Sequence, residues 1–292
     1  MANIGGERRE HWFGGDLLEP LSKYADNGSV RVHYLDWGGN GPVLLLLHGM
    51  RGRARLWASV APALARYFHV VAMDVRGHGW SGRPADAAYD RRALASDAVA
   101  VLDAVGADKA RVIGHSLGGW IAIGLAAHYP DRVERLILED IGLEGDPDAP
   151  ATYEERARST PRSFGSLQEG LDWLRAGGAN PDWAGASLER QPGGAWTWAY
   201  DNEALIRIAR ETAAVSCWDL APHVTKPVLL FWGTKSWIHT AESVERMAGA
   251  FPDCHGVVPF ETNHWIHKEA PESYLRAALP FLRDAPLSEP QM

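Results

Sequence analysis

The sequence predicts an α/β fold, a mostly parallel sheet with helices on both faces. Three observations carry that expectation. Short unbroken apolar runs recur at Val43–Leu47, His69–Met73, Ala110–Ile113, Leu136–Leu138 and Val228–Phe231, with a weaker one at Gly256–Phe260. A strand turns successive side chains to opposite faces, so a continuous apolar run marks a strand buried on both. Helical patterns separate these runs, and strand–helix–strand alternation requires parallel strands. The chain has 292 residues, 46% hydrophobic and 23% charged, which suits one large core or one core with an insertion.

The elements follow in order. Glu7, Arg8, Arg9 and Glu10 occupy the N-terminus without an apolar segment, so no signal peptide is expected. The turn Asp26-Asn27-Gly28-Ser29 leads into Val30–Trp37, where Val30, Val32 and Tyr34 alternate with Arg31, His33 and Leu35; this predicts an antiparallel hairpin. Leu56–Tyr67 and Leu94–Val105 carry apolar residues at helical spacing, the second with Asp90 as N-cap and Gly106 as C-cap. A third helix, Gly119–Tyr129, is stopped by Pro130. The alternation breaks from Gly142 to Cys217, a stretch rich in Asp, Gly, Pro, Arg and Ala, and resumes at Lys226-Pro227-Val228. The expectation is therefore a core of residues 1–141 and 218–292, interrupted by a mostly helical insertion over 142–217. There is no repeat and no low-complexity tract.

Composition narrows the function. Lys and Arg total 29 against 37 Asp and Glu, a net charge of −8, which argues against nucleic acid or an anionic membrane as the main partner. Two cysteines, Cys217 and Cys254, make no disulfide framework, and a reducing compartment, the cytoplasm, is expected. Val43–Leu47, the longest aliphatic run, falls far short of the ~20 residues that span a bilayer. No G-x-G-x-x-G follows the first buried strand and no Walker A pattern occurs, so no cofactor is expected; oligomeric state stays open.

The sharpest signal is Gly114-His115-Ser116-Leu117-Gly118 between a buried strand and a helix. This is a nucleophile elbow in its required strand–turn–helix context. The turn lifts the serine hydroxyl off the sheet, the flanking glycines let strand and helix approach, and the helix N-terminus brings N–H groups beside it. A serine needs a base. His264 lies directly after the last expected strand, where a loop returns to the sheet edge; His267 reads as surface or structural. His264, His267 and Glu269 lack a further ligand pair for a metal. An oxyanion hole needs two N–H donors. Leu117 N–H, next to the nucleophile, supplies one; Met50 N–H, on His48-Gly49-Met50 after the first buried strand, supplies the other.

His48-Gly49, Asp74-Val75-Arg76-Gly77-His78-Gly79-Trp80-Ser81, Gly114 to Gly119 and His264, in this order from Val30 to Leu282, resemble the α/β-hydrolase superfamily. The resemblance implies an eight-stranded, mostly parallel sheet with a helical cap inserted after the sixth strand. It also implies that Asp74–Ser81 is a structural turn and that the cap walls a substrate pocket. Ser116 speaks against the members that use an Asp nucleophile, epoxide hydrolases and haloalkane dehalogenases. One departure stands out. The triad acid usually follows the strand after the cap as G-x-x-D, and here Gly233-Thr234-Lys235-Ser236 puts a serine there. Some members place the acid before the cap, where this chain has Glu139-Asp140. Strand alternation sends these two to opposite sides, so only one faces His264. Asp140 is the preferred acid, Glu139 the alternative, and Asp219 and Glu242 are weaker candidates.

Of the 13 tryptophans, Trp120, Trp237 and Trp265 are tied by sequence to loops at the expected active edge, Trp57 follows the oxyanion loop, and Trp173, Trp183, Trp196 and Trp198 belong to the insertion. Trp120, Trp183, Trp237 and Trp265 are the expected pocket wall; core packing is the competing role for each ring. Arg51, Arg53 and Arg55 flank the oxyanion loop and either attract an acidic substrate or lie on the solvated surface. The expected function is hydrolysis of a hydrophobic, ring-bearing ester or lactone through an acyl-enzyme on Ser116. The alternatives are C–C bond hydrolysis, perhydrolysis, or a non-catalytic receptor on the same fold.

Overall fold

The computed structural model describes residues 19–28, 30–84, 88–178 and 187–284. The sheet strands are β1 (Leu21–Asn27), β2 (Val30–Gly38), β3 (Val43–Leu47), β4 (His69–Met73), β5 (Ala110–His115) and β6 (Val133–Glu139). A long excursion follows before β10 (Val228–Gly233) and β11 (Cys254–Phe260). The sheet has eight strands in the order β1-β2-β4-β3-β5-β6-β10-β11. β1 and β2 form the expected antiparallel hairpin, and β2 also runs antiparallel to β4. All other neighbours pair in parallel.

The apolar runs are explained by what they pack against. Leu45, Leu47, Val71 and Met73 point into one core with α2 (Arg91–Ala104) and α3 (Leu117–His128). Leu44, Leu46, Val70 and Ala72 point into a second core, against Trp57 and the C-terminal helix Pro271–Leu282. Each fully buried Leu or Val contributes roughly 1.5–3 kcal/mol, so both faces of these strands hold the sheet between its helix layers. Asp90 caps α2 by accepting from the N–H groups of Arg92 and Ala93, and Gly106 adopts φ 73° just beyond its end.

One expectation needs correction. Leu56–Tyr67 is not one helix. A 3-10 turn over Ala54–Ser59 breaks at Val60 (φ −128°, ψ −24°), and a four-residue helix α1 (Ala61–Leu64) restarts behind it. Pro62 is the cause: it has no N–H to donate and fits only the first turn. Among its described residues the excursion between β6 and β10 is mainly helical, with a small sheet in addition. Beside α4 (Ala149–Ser159), α5 (Leu167–Ala176) and α6 (Asn202–Ala214) it contains β7 (Ser163–Phe164), β8 (Leu188–Arg190) and β9 (Trp196–Trp198), an antiparallel sheet in the order β7-β9-β8. The Trp-Thr-Trp of β9 favours strand. Among the described residues no helix is long and apolar enough to cross a membrane.

The segment Asp74–Ser81 ties two loops together. Asp74 accepts hydrogen bonds from the N–H of Ala54 (2.6 Å) and of Trp80 (3.0 Å), and its Oδ2 lies 2.7 Å from His33 Nδ1. A side chain at Gly79 would collide with this carboxylate. The loop after β3 is therefore fastened to the turn after β4.

Candidate active site

The elbow is strained. Ser116 joins β5 to α3 at φ 52°, ψ −118°, a conformation costing roughly 1–3 kcal/mol for a residue with a side chain. Its N–H donates to Glu139 O (3.0 Å), and its carbonyl accepts from Gly119 N–H (2.8 Å). The flanking glycines are sterically required. A Cβ at Gly114 would lie 2.4 Å from Gly118 O, and one at Gly118 would lie 2.1 Å from Leu47 O.

Asp140 follows β6, also with positive φ (48°), and its N–H donates to Phe231 O (2.8 Å) on β10. Its carboxylate is buried. Oδ1 accepts from Gly233 N–H (3.1 Å), Oδ2 accepts from the Ser236 hydroxyl (2.5 Å), and His264 Nδ1 lies 2.7 Å from the same Oδ2. The structure thus brings Asp140, Ser236 and His264 together. Glu139 turns to the other face. Its Oε1 lies 2.7 Å from His267 Nδ1 and accepts from His267 N–H (3.1 Å). His267 stacks on the buried ring of Trp57 at 4.2 Å. Burial pushes the Glu139 carboxyl up and holds His267 well below an ordinary imidazole. His267 is thus a core residue, not a surface one, and the two histidines face separate carboxylates. Among the described residues no three His, Cys, Asp or Glu side chains converge to hold a metal.

His264 is steadied from behind as well, where its carbonyl lies 2.9 Å from His115 Nε2. Among the hydrogen bonds of the described residues none joins the Ser116 hydroxyl to His264. In unliganded enzymes that contact is often long and tightens only around substrate.

The loop bearing Met50 is held by two buried histidines. His48 Nε2 accepts from Val75 N–H (3.0 Å), which leaves the proton on Nδ1 to donate to Gly49 O (2.8 Å). His78 Nε2 accepts from Arg51 N–H (3.3 Å), and its Nδ1 donates to Arg76 O (3.2 Å). Both arrangements need neutral rings, and burial lowers both pKa values, that of His78 to about 3. Among the described residues neither Met50 N–H nor Leu117 N–H donates to a protein acceptor.

Ser116, Asp140, Met50 and Leu117 line one cavity of about 460 Å³. The excursion closes it with Tyr153, Ala209 and Thr212. Trp120 lines it, its indole N–H donating to Gly142 O (2.7 Å). Trp237 lines it too, 69% exposed and 5.0 Å from the His264 ring. Trp265 is a correction: it is not among the residues lining the cavity, because its ring is taken up in packing on His264 (5.1 Å) and Trp237 (6.0 Å). Trp218, which sequence reasoning passed over, lines the wall; its place directly after the insertion was the available signal. Trp183 lies outside the described residues. Trp173 and Trp198 pack against one another and Phe164 in the excursion's own small core, with Trp196 at its margin. Asp219 pairs with Arg91. Glu242 lies in the first turn of α7 (Ala241–Ala248) and is exposed.

A family model described as alpha/beta hydrolase fold matches residues 42–271. The chain is 42% identical to 2-hydroxymuconate semialdehyde hydrolase of Pseudomonas sp. (strain CF600) over 112 residues, 37% of this chain and 39% of that protein. It is 28% identical to N-formylmaleamate deformylase of Pseudomonas putida over 263 residues, 88% of this chain and 94% of that protein. The crystal structure of E-2-(acetamidomethylene)succinate hydrolase superposes with a TM-score of 0.80 at 24% identity, covering 91% of this chain and 100% of that one.

Proposed function

We propose a function from one premise: the chain belongs to the α/β-hydrolase family. It is a hydrolase, and the proposed reaction is cleavage of a carboxylic ester or lactone through an acyl-enzyme on Ser116. The observation that carries this reading is the 2.7 Å contact of Asp140 Oδ2 with His264 Nδ1, beside a strained serine whose cavity also holds two uncommitted N–H donors.

The steps follow from that arrangement. Asp140 accepts the Nδ1 proton of His264, which fixes the tautomer and leaves Nε2 as base. Nε2 takes the Ser116 proton as Oγ attacks the substrate carbonyl. The N–H groups of Met50 and Leu117 hold the resulting oxyanion; each such donor is worth roughly 10²–10³ in rate. The imidazolium returns its proton to the leaving alcohol, and water repeats the sequence to release the acid. The excursion over 142–217 acts as the cap that walls the cavity.

Similarity to a deformylase and to a semialdehyde hydrolase favours a second reading with the same residues, in which the leaving group is an amine or a carbanion. A fluorophosphonate probe tests the nucleophile: wild-type protein is labelled at Ser116 and Ser116→Ala is not. Folded wild-type protein that stays unlabelled would count for a non-catalytic receptor. A panel of aryl esters, lactones and β-diketones then separates the two reactions.

A further inference from the structure

The three arginines beside the oxyanion loop have different surroundings. Arg55 pairs with Glu19 on the surface, and Arg53 reaches Leu188 O at 3.5 Å. Arg51 is anchored through its backbone, at φ 60°, and its guanidinium also hydrogen-bonds the phenols of Tyr153 and Tyr200. Its backbone N–H donates to His78, and its carbonyl accepts from the Ser187 hydroxyl at 3.1 Å. Its Nε is buried without a hydrogen-bond partner, and among the described residues no carboxylate lies within ion-pair distance of its guanidinium.

That guanidinium faces the phenols of Tyr153 and Tyr200. Burial pushes both phenols up, Tyr200 to about 12, while Arg51 and Arg156 draw them the other way. Both phenols therefore stay protonated and keep an O–H to donate. Tyr153 lines the cavity, and so does Met50, the chain neighbour of Arg51. A buried cation whose Nε N–H is uncommitted, bonded to two protonated phenols of which Tyr153 lines the cavity, is complementary to an oxyanion. Glu144 and Asp146 also line the cavity, which disfavours a doubly charged phosphate group and leaves a carboxylate, with one charge per group, as the better fit.

We infer that Arg51, Tyr153 and Tyr200 form a carboxylate-recognising subsite, so that the substrate carries a free carboxylate about one side chain's length from the carbonyl that reacts. The identity of the cleaved bond rests on the proposed hydrolytic reading; the binding of the anion does not.

The test compares two esters by their specificity constants, kcat/KM. One is the mono-nitrophenyl ester of adipic acid, and the other is the nitrophenyl ester of hexanoic acid, which lacks only the carboxylate. Adipate binding, read by quenching of tryptophan fluorescence, accompanies it. Wild-type protein favours the acid ester by roughly 10- to 100-fold. In Arg51→Gln that ratio collapses to near unity and adipate binding weakens by a similar factor; Tyr200→Phe gives a smaller loss in the same sense. A wild-type ratio near unity, a ratio unaltered in Arg51→Gln, or adipate that does not bind overturns the inference. Should Arg51→Gln fail to label with fluorophosphonate, Arg51→Lys and Tyr200→Phe carry the same comparison. Adipate bound in an Arg51-dependent way by a protein that hydrolyses neither ester keeps the subsite and removes the hydrolytic reading.

Discussion

Two adjacent carboxylates end β6 and serve opposite faces of the sheet. Asp140 has His264, Ser236 and the Gly233 N–H; Glu139 has His267. If Asp140 orients the base, Asp140→Asn lowers kcat by about 10⁴-fold, because the amide favours the wrong tautomer. Ser236→Ala lowers it by roughly tenfold or less, since it removes one neutral donor from Oδ2. Steady-state kinetics on a nitrophenyl ester separates them, and the opposite ranking would remove Asp140 from its role. The alternation of the strand was legible in the sequence, and it required that only one of the pair face His264. The burial of His267 was not legible: Trp57, far away in the chain, covers it, and no local pattern reports so distant a contact. A second expectation concerns Cys217. Burial pushes its thiol up to about 12, so native protein at pH 8 leaves it unmodified by a disulfide reagent, and denaturant exposes it. Prompt modification without unfolding would contradict the burial.

At the scale of elements, the elbow depends on two missing side chains. Gly118→Ala places a methyl 2.1 Å from Leu47 O, and α3 has to shift to relieve it. Urea unfolding is expected to show a loss of about 1–3 kcal/mol or more. An unchanged midpoint would mean that strand and helix are not held this closely. The motif was readable because its spacing encodes this approach directly. The segment Leu56–Tyr67 misled for the opposite reason. Its apolar spacing is helical, but Pro62 carries no N–H, and one missing donor outweighs the periodicity. The strands of the excursion are two or three residues long, too short for an alternating pattern to show.

For the whole molecule, six apolar runs separated by helical patterns mark a parallel sheet buried on both faces, which is why the fold class was the most legible feature; the strand order was not written in them. The response to acid was not legible either, because it depends on burial. His48, His78 and His115 are all held below the ordinary imidazole value by desolvation, His78 at about 3. The unfolded chain takes up protons near pH 6.5 that the native state refuses, so it binds more protons and stability falls as pH drops below that value. The slope approaches about 1.4 kcal/mol per pH unit for each histidine until its folded pKa is reached. Denaturation at pH 7 and pH 5 measures it; equal stabilities would mean that these rings titrate normally in the fold. The two rings beneath the Met50 loop add a local consequence. Each offers its lone pair to a backbone amide, and protonation would set hydrogen against hydrogen. The Met50 loop therefore keeps its shape through mild acid, and its amide at Arg51 loses its acceptor only near pH 3, where His78 takes up a proton.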